Sequence, residues 1–461
     1  MSEDGEESEP FLDESDPLLS EDSYLVTSRK NIEKNSDCDD DNEIPSSGGA
    51  GISTTAWACV AVVSLAFFVD NFAAMIILPV VPELQNTVEG ASNELDGGLL
   101  LAAYGMLYIV GSLFAGPAQE MLGNLRLMML SFMLLLVATL LMMLHEDYTT
   151  LFASRMLQGL ASATHDVAAT ALLVRYVTGN NALAFGIVGA FCNLGLVAGP
   201  LAGGYLYSAG GWHLITITLV IAFVLDGVGR VALSILVSEE LEEIQPPSAA
   251  MLVNYGNTGR LLFSSRECCG VLAAVFLNWT IIYGVLSTTP WAFKELHGTS
   301  STDNSLIAIL FVPALYMSPF SGLIATDKVV CMWLVAASFL LHGVGTAMLG
   351  CRLSFSAHLV AISLMGTGSG ILVPAAKELL RLSAKDVLLE DKHMLSSIWV
   401  FYFLMQGLAM EMGHIGVSAL AYVSSFKVTM LTALMPLAVV AMLAAITAAA
   451  TYDRTHPKPK S

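Results

Sequence analysis

The decapeptide Gly195-Leu196-Val197-Ala198-Gly199-Pro200-Leu201-Ala202-Gly203-Gly204 lies inside an apolar stretch that runs from residue 181 to residue 207. Glycines let a neighbouring helix approach closely, and a Gly-Pro step removes one backbone hydrogen bond and bends the helix. The stretch therefore predicts a membrane-spanning helix that packs tightly on a neighbour and flexes between two packings. The residues that we expect to serve this conformational change are Gly195, Gly199, Pro200, Gly203 and Gly204.

The composition of the chain extends this prediction to the whole protein. Of its 461 residues, 55% are hydrophobic and only 13% are charged, about half the charged fraction of a soluble domain. A net charge of −20 argues against a nucleic-acid partner, and seven cysteines without a CxxC spacing predict neither a disulfide framework nor a metal site. No nucleotide-binding loop or catalytic elbow is present, so we predict a polytopic membrane protein that is not an enzyme and needs no cofactor.

Apolar stretches long enough to cross a bilayer recur along the chain after Ser53. They predict an all-α membrane protein of twelve transmembrane helices in two six-helix halves, a plan typical of transporters that rock two bundles around a central site. The predicted segments are a tail 1–53, a first bundle 54–238, a linker 239–267, a second bundle 268–452 and a tail 453–461. The predicted spans are 54–82, 97–119, 124–145, 150–176, 181–207, 212–238, 268–292, 303–326, 328–350, 354–382, 393–423 and 427–452.

The N-terminal tail differs from the rest in its charge. Residues 1–53 carry sixteen of the forty acids and three bases, a composition typical of a disordered, solvated arm. Within it, Glu14 precedes Leu18 and Leu19 in the spacing of an acidic dileucine sorting motif. Such a motif predicts binding to a clathrin adaptor and delivery to secretory vesicles, endosomes or lysosomes. The alternative is a chance match in an acid-rich tail.

Lysines and arginines indicate how the spans are oriented. With the N-terminus in the cytosol, fifteen of the twenty bases, Lys377 among them, fall on the cytosolic side and three on the other side. Because positive residues are retained on the cytosolic side, this asymmetry predicts that both termini face the cytosol.

Two further motifs point to a family. The loop after the second span contains Gly116, Glu120 and Gly123, and it resembles the G-x-L-x-D-R-x-G-R-R motif of the major facilitator superfamily. The fourth span contains Arg155-Met156-Leu157-Gln158-Gly159, which resembles the R-x-x-Q-G motif of the same family. The decapeptide 195–204 matches G-x-x-x-G-P-x-x-G-G, the motif of its proton-antiporter branch. The resemblance implies a transporter that works by alternating access.

Within that superfamily the first half resembles the vesicular amine transporters, because Asp70-Asn71 precedes the P-x-x-P of residues 79–82 and Leu225-Asp226-Gly227 lies in the sixth span. The resemblance implies that Asp70 contributes to binding a cationic amine and that protons drive its uptake into vesicles. Four charged residues of that family are replaced here. Tyr104 stands at its lysine, Leu286 or Ser287 at its glutamate, and Val373 and Phe401 at its later aspartates.

Charged residues inside the spans are the candidate binding residues, since each is costly in the hydrocarbon core unless paired or hydrated. Asp70, beside Asn71, is suited to exchange a proton or hold a cation; a hydrogen-bonded structural carboxylate is the alternative. Arg155 is either functional or part of a structural ion pair. His165 and Asp166 either replace missing charges of the family or form a packed polar contact.

The sixth and eleventh spans carry the remaining candidates. Asp226 and Arg230 are four residues apart and are predicted to form a structural ion pair on one helix face. Glu411 is the carboxylate well inside the later spans and is a candidate for proton coupling, with His414 three residues further on as a possible contact.

The sequence thus predicts a secondary transporter whose partners are protons, a small-molecule solute and membrane lipid. The favoured reading is a proton-coupled antiporter that moves an organic cation or amine into acidic vesicles. One alternative is a lysosomal or endosomal proton-coupled exporter of a neutral or anionic metabolite. Another is a membrane scaffold without transport activity.

Overall fold

The computed structural model describes residues 54–80, 94–144, 147–177, 181–236, 249–299, 306, 308, 311–388 and 392–455. Nearly all of these residues are helical, as the sequence predicts. The dileucine motif at residues 14–19 and the rest of the tail 1–53 lie outside the described residues.

Six helices precede the linker in the part of the chain that the structure describes. A single long helix, Asn181–Leu236, is broken at Gly210 and Gly211, where Gly211 adopts a positive φ of 64° that favours glycine, so that its arms 181–209 and 212–236 are two helices, α5 and α6. The four helices before them are α1 (Thr54–Met75), α2 (Glu94–Leu122), α3 (Asn124–Met143) and α4 (Tyr148–Tyr176).

Seven more helices follow among the described residues, the first of them in the linker. That linker helix is α7 (Ala249–Ser264), so the predicted spans seven to twelve correspond to α8 to α13. These are α8 (Arg266–His297), α9 (Val312–Ile324), α10 (Lys328–Leu349), α11 (Phe355–Leu388), α12 (392–424, with a π-helical segment at Met412–Val417) and α13 (426–455, with a π-helical segment at Met430–Leu434).

The described helices are consistent with twelve membrane crossings. Eight are long and apolar enough to span a membrane by length and composition, and the 56-residue helix among them contains both α5 and α6. Three others, α4, α9 and α12, do not meet that criterion. Helix α4 carries Arg155, Asp166 and Arg175, and α9 has 13 residues.

Local sequence explains where several helices start. Asp147 caps α4 by accepting a hydrogen bond of 2.7 Å from the amide of Thr150, and Asp327 caps α10 in the same way through the amide of Val330. Hydrogen bonds from the backbone and side chain of Thr150 lower the pKa of Asp147, which lies in the loop before α4. These two caps fix the starts of α4 and α10.

Several predicted segments differ from the structure, among them α1, α11 and the linker. Helix α1 ends at Met75 and gives way to turns through Val80, because two prolines follow at positions 79 and 82. Helix α11 continues to Leu388, six residues beyond the predicted end of the span. The linker, predicted as a polar connection, contains the amphipathic helix α7.

Packing brings the two groups of helices together around a central region. Before the linker, α1 packs on α5, and α2 and α3 pack on α4; after it, α10 and α9 pack on α11. Across the two groups, α5 packs on α9 and α11, and α2 packs on α12. The α5–α9 contact is close, because a Cβ added at Gly186 would lie 2.5 Å from the carbonyl oxygen of Ser318.

The outer surface is apolar, as expected for a protein surrounded by lipid. Large hydrophobic side chains that are more than half exposed occur on α5, α6, α9 and α13, whereas the charged side chains Asp70, Asp166 and Arg230 are buried. This inversion of the usual soluble pattern matches the composition.

Candidate functional site

Asp70 lies on α1 and faces α4. Its carboxylate is buried, and the hydroxyl of Ser162 donates a hydrogen bond of 2.5 Å to Oδ1. The neighbouring Asn71 does not partner Asp70, because its amide donates to the carbonyl of Phe67 in its own helix. Asp70 is therefore held by a neutral hydroxyl and, among the described residues, forms no ion pair within 4 Å.

Asp166 lies on α4, one turn after Ser162, and faces α2. The hydroxyl of Tyr108 donates a 2.5 Å hydrogen bond to its Oδ2, while its Oδ1 has no hydrogen-bond partner among the described residues. Its neighbour His165 has a different setting. The His165 ring contacts Phe67 at 5.0 Å, and neither ring nitrogen has a described partner.

Arg155 is buried on α4 near the same part of α2. It donates a hydrogen bond to Gln158 on its own helix, and its guanidinium lies 5.1 Å from the centre of the Tyr104 ring. Gly159 completes the motif, because a Cβ there would overlap the carbonyl oxygen of Tyr104. The R-x-x-Q-G motif thus joins α4 to α2, and no carboxylate of the described residues lies within 4 Å of Arg155.

Glu411 lies on α12 at the start of the π-helical segment, a departure from α-helical geometry that is common at functional sites. Its carboxylate fills the space beside Gly105 of α2, and neither of its oxygens has a hydrogen-bond partner among the described residues. His414 is not a hydrogen-bond partner of Glu411. The ring of His414 instead makes a 2.6 Å hydrogen bond with Ser287 of α8 and lies 5.0 Å from the Tyr283 ring.

One segment of α2 joins these residues into a single site. Within the five residues from Tyr104 to Tyr108, the tyrosine rings contact Arg155 and Asp166, and Gly105 contacts Glu411. Asp70 and Asp166 also interact electrostatically with each other and with Tyr104. We call Asp70, Arg155, Asp166 and Glu411 the central charge cluster. His165 borders it, and Asn71 faces its own helix.

The sequence analysis missed one member of this region, Lys377. Counting it among the cytosolic bases is wrong, because its side chain is buried at 6% exposure and interacts electrostatically with Asp166. Lys377 lies inside the predicted span 354–382, yet the sequence analysis counted it with the cytosolic bases. Its position within that span was the signal that could have identified it.

The glycines of the decapeptide 195–204 pack α5 directly on the backbone of α1 and of Ile76, which follows it. A Cβ at Gly195 would collide with the carbonyl of Phe68, one at Gly199 would lie 2.8 Å from that of Phe72, and one at Gly203 would overlap that of Ile76. Asp70 lies on the same stretch of α1, so its carboxylate is next to this close packing of α5 on α1. Pro200 lies inside α5 between these contacts.

The motif after α2 forms the turn into α3. Gly123 adopts a positive φ of 77°, a conformation that side chains other than glycine rarely take. Gly116 is buried within α2, and Glu120 is half-buried in its last turn. The motif thereby fixes the short connection between two spans.

Asp226 and Arg230 are paired on α6. Nε and a terminal nitrogen of Arg230 lie 2.8 Å from Oδ2 of Asp226, and both side chains are fully buried. A second terminal nitrogen donates to the carbonyl of Met128 on α3 at 2.6 Å, and Phe132 stacks on the guanidinium. This pair ties α6 to α3. Among the described residues, no group of three or more His, Cys, Asp or Glu is arranged to hold a metal ion.

Fold and site together define a polytopic membrane protein of two helix groups with buried charges between them. The model of the Major Facilitator Superfamily matches residues 63–385, and the chain belongs to that family, whose members are transporters rather than enzymes. This confirms the resemblance drawn from the motifs.

Individual relatives agree. The chain is 25% identical over 315 residues to the vesicular acetylcholine transporter of Drosophila melanogaster, covering 60% of this chain and 52% of that one. It is 29% identical over 175 residues to the probable vesicular acetylcholine transporter-B of Danio rerio, covering 36% of each. The chain thus spans about a third to a half of the length of these relatives.

A solved structure supports the fold alone. The crystal structure of the human organic anion transporter MFSD10 superimposes with a TM-score of 0.67 at 15% identity, over 85% of this chain and 100% of that one.

Proposed function

We propose that this chain is a secondary active transporter that exchanges protons for an organic cation or amine across the membrane of an acidic vesicle. The observation that carries the proposal is the central charge cluster. Asp70, Asp166 and Glu411 are three buried carboxyls, and each has only a hydroxyl partner or no described partner at all. Buried carboxyls of this kind suit a site that takes up a proton or a cation in turn.

The surroundings of the cluster fit alternating access. Its residues come from α1, α2, α4 and α12, and the contact between α2 and α12 joins helices on opposite sides of the linker. The glycines of α5 pack closely on α1, so a shift of α5 relative to α1 would move Asp70. The similarity to vesicular acetylcholine transporters supports a cationic solute and a vesicle membrane.

The remaining features are consistent with that location. The asymmetry of lysine and arginine stays large without Lys377 and supports cytosolic termini. The dileucine motif at Glu14, Leu18 and Leu19 supports recruitment of a clathrin adaptor from the cytosol.

The test is uptake into proteoliposomes that contain the purified protein and an acidic lumen. Radiolabelled acetylcholine, tyramine and putrescine are compared with neutral and anionic metabolites, with and without an uncoupler. We expect uptake of at least one amine that the uncoupler abolishes and that falls by about 100-fold in Asp70→Asn, since the carboxylate is the binding charge. Asp147→Asn is the matched control, because Asn also caps a helix and the position lies outside the cluster. Amine uptake unchanged in Asp70→Asn would contradict the site.

A second candidate is proton-coupled export of an anionic metabolite. Arg155 and Lys377 favour it, because both are buried cations without a carboxylate within 4 Å among the described residues. The same proteoliposomes decide between the two: an anion that moves with the proton gradient and stops in Arg155→Gln, with no amine uptake, favours export.

A further inference from the structure

Lys377 of α11 ends inside a box of four aromatic rings. Its ammonium nitrogen lies 5.0 Å from the centre of the Phe403 ring, 5.4 Å from those of Phe67 and Tyr402, and 5.7 Å from that of Phe185. The side chain is buried, and it makes no hydrogen bond or ion pair with any residue that the structure describes. The rings are thus its immediate partners. We call these four rings the aromatic box.

The box has the chemistry of an ammonium site. The face of each ring carries partial negative charge and attracts a cation within about 6 Å, most strongly where water is excluded. Its rings come from three helices, α1, α5 and α12, which lie on both sides of the linker. A re-packing of the two helix groups therefore takes the box apart.

Charge balance gives Lys377 a role beyond packing. The titratable groups that face it are Asp166 of α4, Cys192 of α5 and Tyr402 of α12, and Asp166 is the acid among them. A cation in the box therefore balances the carboxylate of Asp166. A cationic solute that binds near Asp166 makes the lysine charge redundant, and two cations side by side repel each other.

We propose that the aromatic box is a binding subsite for unbranched primary alkylammonium groups. Lys377 occupies this subsite as a tethered cation, and a cationic solute displaces the lysine from it. The class follows from the occupant, because the lysine side chain is itself a primary ammonium on an unbranched chain. This inference deepens the proposed function by naming the class of solute, and it rests on that function for the role of the subsite in transport.

Chemical rescue tests the subsite without any transport assay. In Lys377→Ala the missing atoms correspond to n-propylammonium, so this ion is the probe. Binding is measured at pH 7 on purified protein in detergent as the rise of the thermal unfolding midpoint with probe concentration. We expect Lys377→Ala to bind n-propylammonium about tenfold or more tightly than the wild type, whose box is filled. We expect little binding of 1-propanol, which lacks the charge, or of tetramethylammonium, which is too bulky.

Lys377→Met is the matched variant, because methionine fills the box with an uncharged chain and should bind the probe no better than the wild type. Equal binding by Lys377→Ala and the wild type would overturn the subsite. If Lys377→Ala folds only when n-propylammonium is present during purification, that recovery supports it. Recovery that is equal with 1-propanol, or absent with both compounds, contradicts it.

The two proposals fail separately. Tight n-propylammonium binding by Lys377→Ala without uptake of any amine would leave the subsite and remove the transport role. Amine uptake that needs Asp70, without a difference in probe binding, would leave the transporter and remove the subsite.

Discussion

Two sets of buried charges in this protein are treated in opposite ways. Asp226 and Arg230 on α6 bind each other at 2.8 Å, and Arg230 also holds the backbone of Met128. In the central charge cluster the partners are neutral instead. Asp70 and Asp166 accept from hydroxyls, Glu411 has no described partner, and Arg155 lies against the Tyr104 ring. Lys377, outside the cluster, also lies against aromatic rings.

We interpret this difference as separating charges that hold helices together from charges that the proposed function uses for binding. An ion pair with fixed geometry cannot change partners without leaving a charge uncompensated in a low-dielectric interior. A carboxyl held by a hydroxyl keeps its hydrogen bond when a proton or a cation arrives, so it exchanges ligands at lower cost. On this comparison Asp226 and Arg230 hold α3 and α6 together, while the proposed function assigns ligand binding to the central charge cluster.

The largest expected effect is therefore on the framework pair. Arg230→Met leaves Asp226 buried without its cation, and we expect the free energy of unfolding to fall by about 3 to 5 kcal/mol. Thermal unfolding of the purified protein in detergent measures this, together with the yield of monodisperse protein.

The double variant Asp226→Leu with Arg230→Met checks the reason. Removing both charges should recover most of the lost stability, because no charge is then left unpaired. If the double variant folds well but no longer takes up solute, the pair belongs to the binding machinery and the comparison fails.

The next largest effect is expected at the close contact between α5 and α1, the helix on which Asp70 lies. In Gly203→Ala the new methyl group would overlap the carbonyl oxygen of Ile76, so α5 and α1 must separate. We expect a loss of about 1 to 3 kcal/mol in stability and a fall in uptake, since overpacking forces backbone shifts. Gly270→Ala is the matched control, because a Cβ at Gly270 on α8 meets nothing within 4 Å. Equal loss in both variants would mean that the α1–α5 contact has no special importance.

In the central charge cluster we expect a variant to lose little unfolding free energy but much of its solute uptake. Tyr108→Phe removes the hydrogen bond to Asp166, whose other oxygen already lacks a described partner. We expect the free energy of unfolding to fall by about 1 to 2 kcal/mol, while proton-driven uptake falls tenfold or more. Both are measured on the same preparation.

Thr216→Val provides the control for that variant, because Thr216 is also fully buried but donates within its own helix to the carbonyls of Trp212 and His213. It should lose comparable stability and keep its uptake. A parallel loss of uptake in both variants would assign the Tyr108 effect to folding.

The sequence was a good guide to the framework and a partial guide to the site. Long apolar stretches and the Gly-Pro motif predicted the helical class, because both depend on local composition. The spacing of Asp226 and Arg230 predicted their contact, because four residues are one turn of a single helix. Such features need no knowledge of how distant helices pack.

Partners on other helices were beyond the sequence. Ser162 and Tyr108 were not singled out, since ordinary hydroxyl and aromatic residues become carboxylate partners only through packing between α1, α2 and α4. The contact of Glu411 with Gly105 joins residues more than 300 positions apart. Lys377 was counted with the cytosolic bases although it lies inside the predicted span 354–382, so its burial against aromatic rings of other helices was missed.

The smallest effect concerns a third arrangement of ionisable groups, the histidine pair His297–His358, which combines features of both sets. The 2.9 Å bond joins Nε2 of His297 to Nδ1 of His358, whose Nε2 lies 3.0 Å from the carbonyl oxygen of Cys351. A carbonyl only accepts, so His358 donates there and accepts from His297, which makes the pair directional while it is neutral.

Burial, and to a lesser extent His358, lower the pKa of His297, which lies beyond the spanning part of α8. The unfolded chain therefore binds a proton at higher pH than the folded chain does, and stability should decrease as the pH falls below about 6.5. Thermal unfolding between pH 7.5 and 5.5 should reveal this slope, and it should be shallower in His297→Gln, which keeps a donor but does not titrate. If His297→Gln leaves the slope unchanged, the pair behaves like the framework ion pair and does not respond to pH in this range.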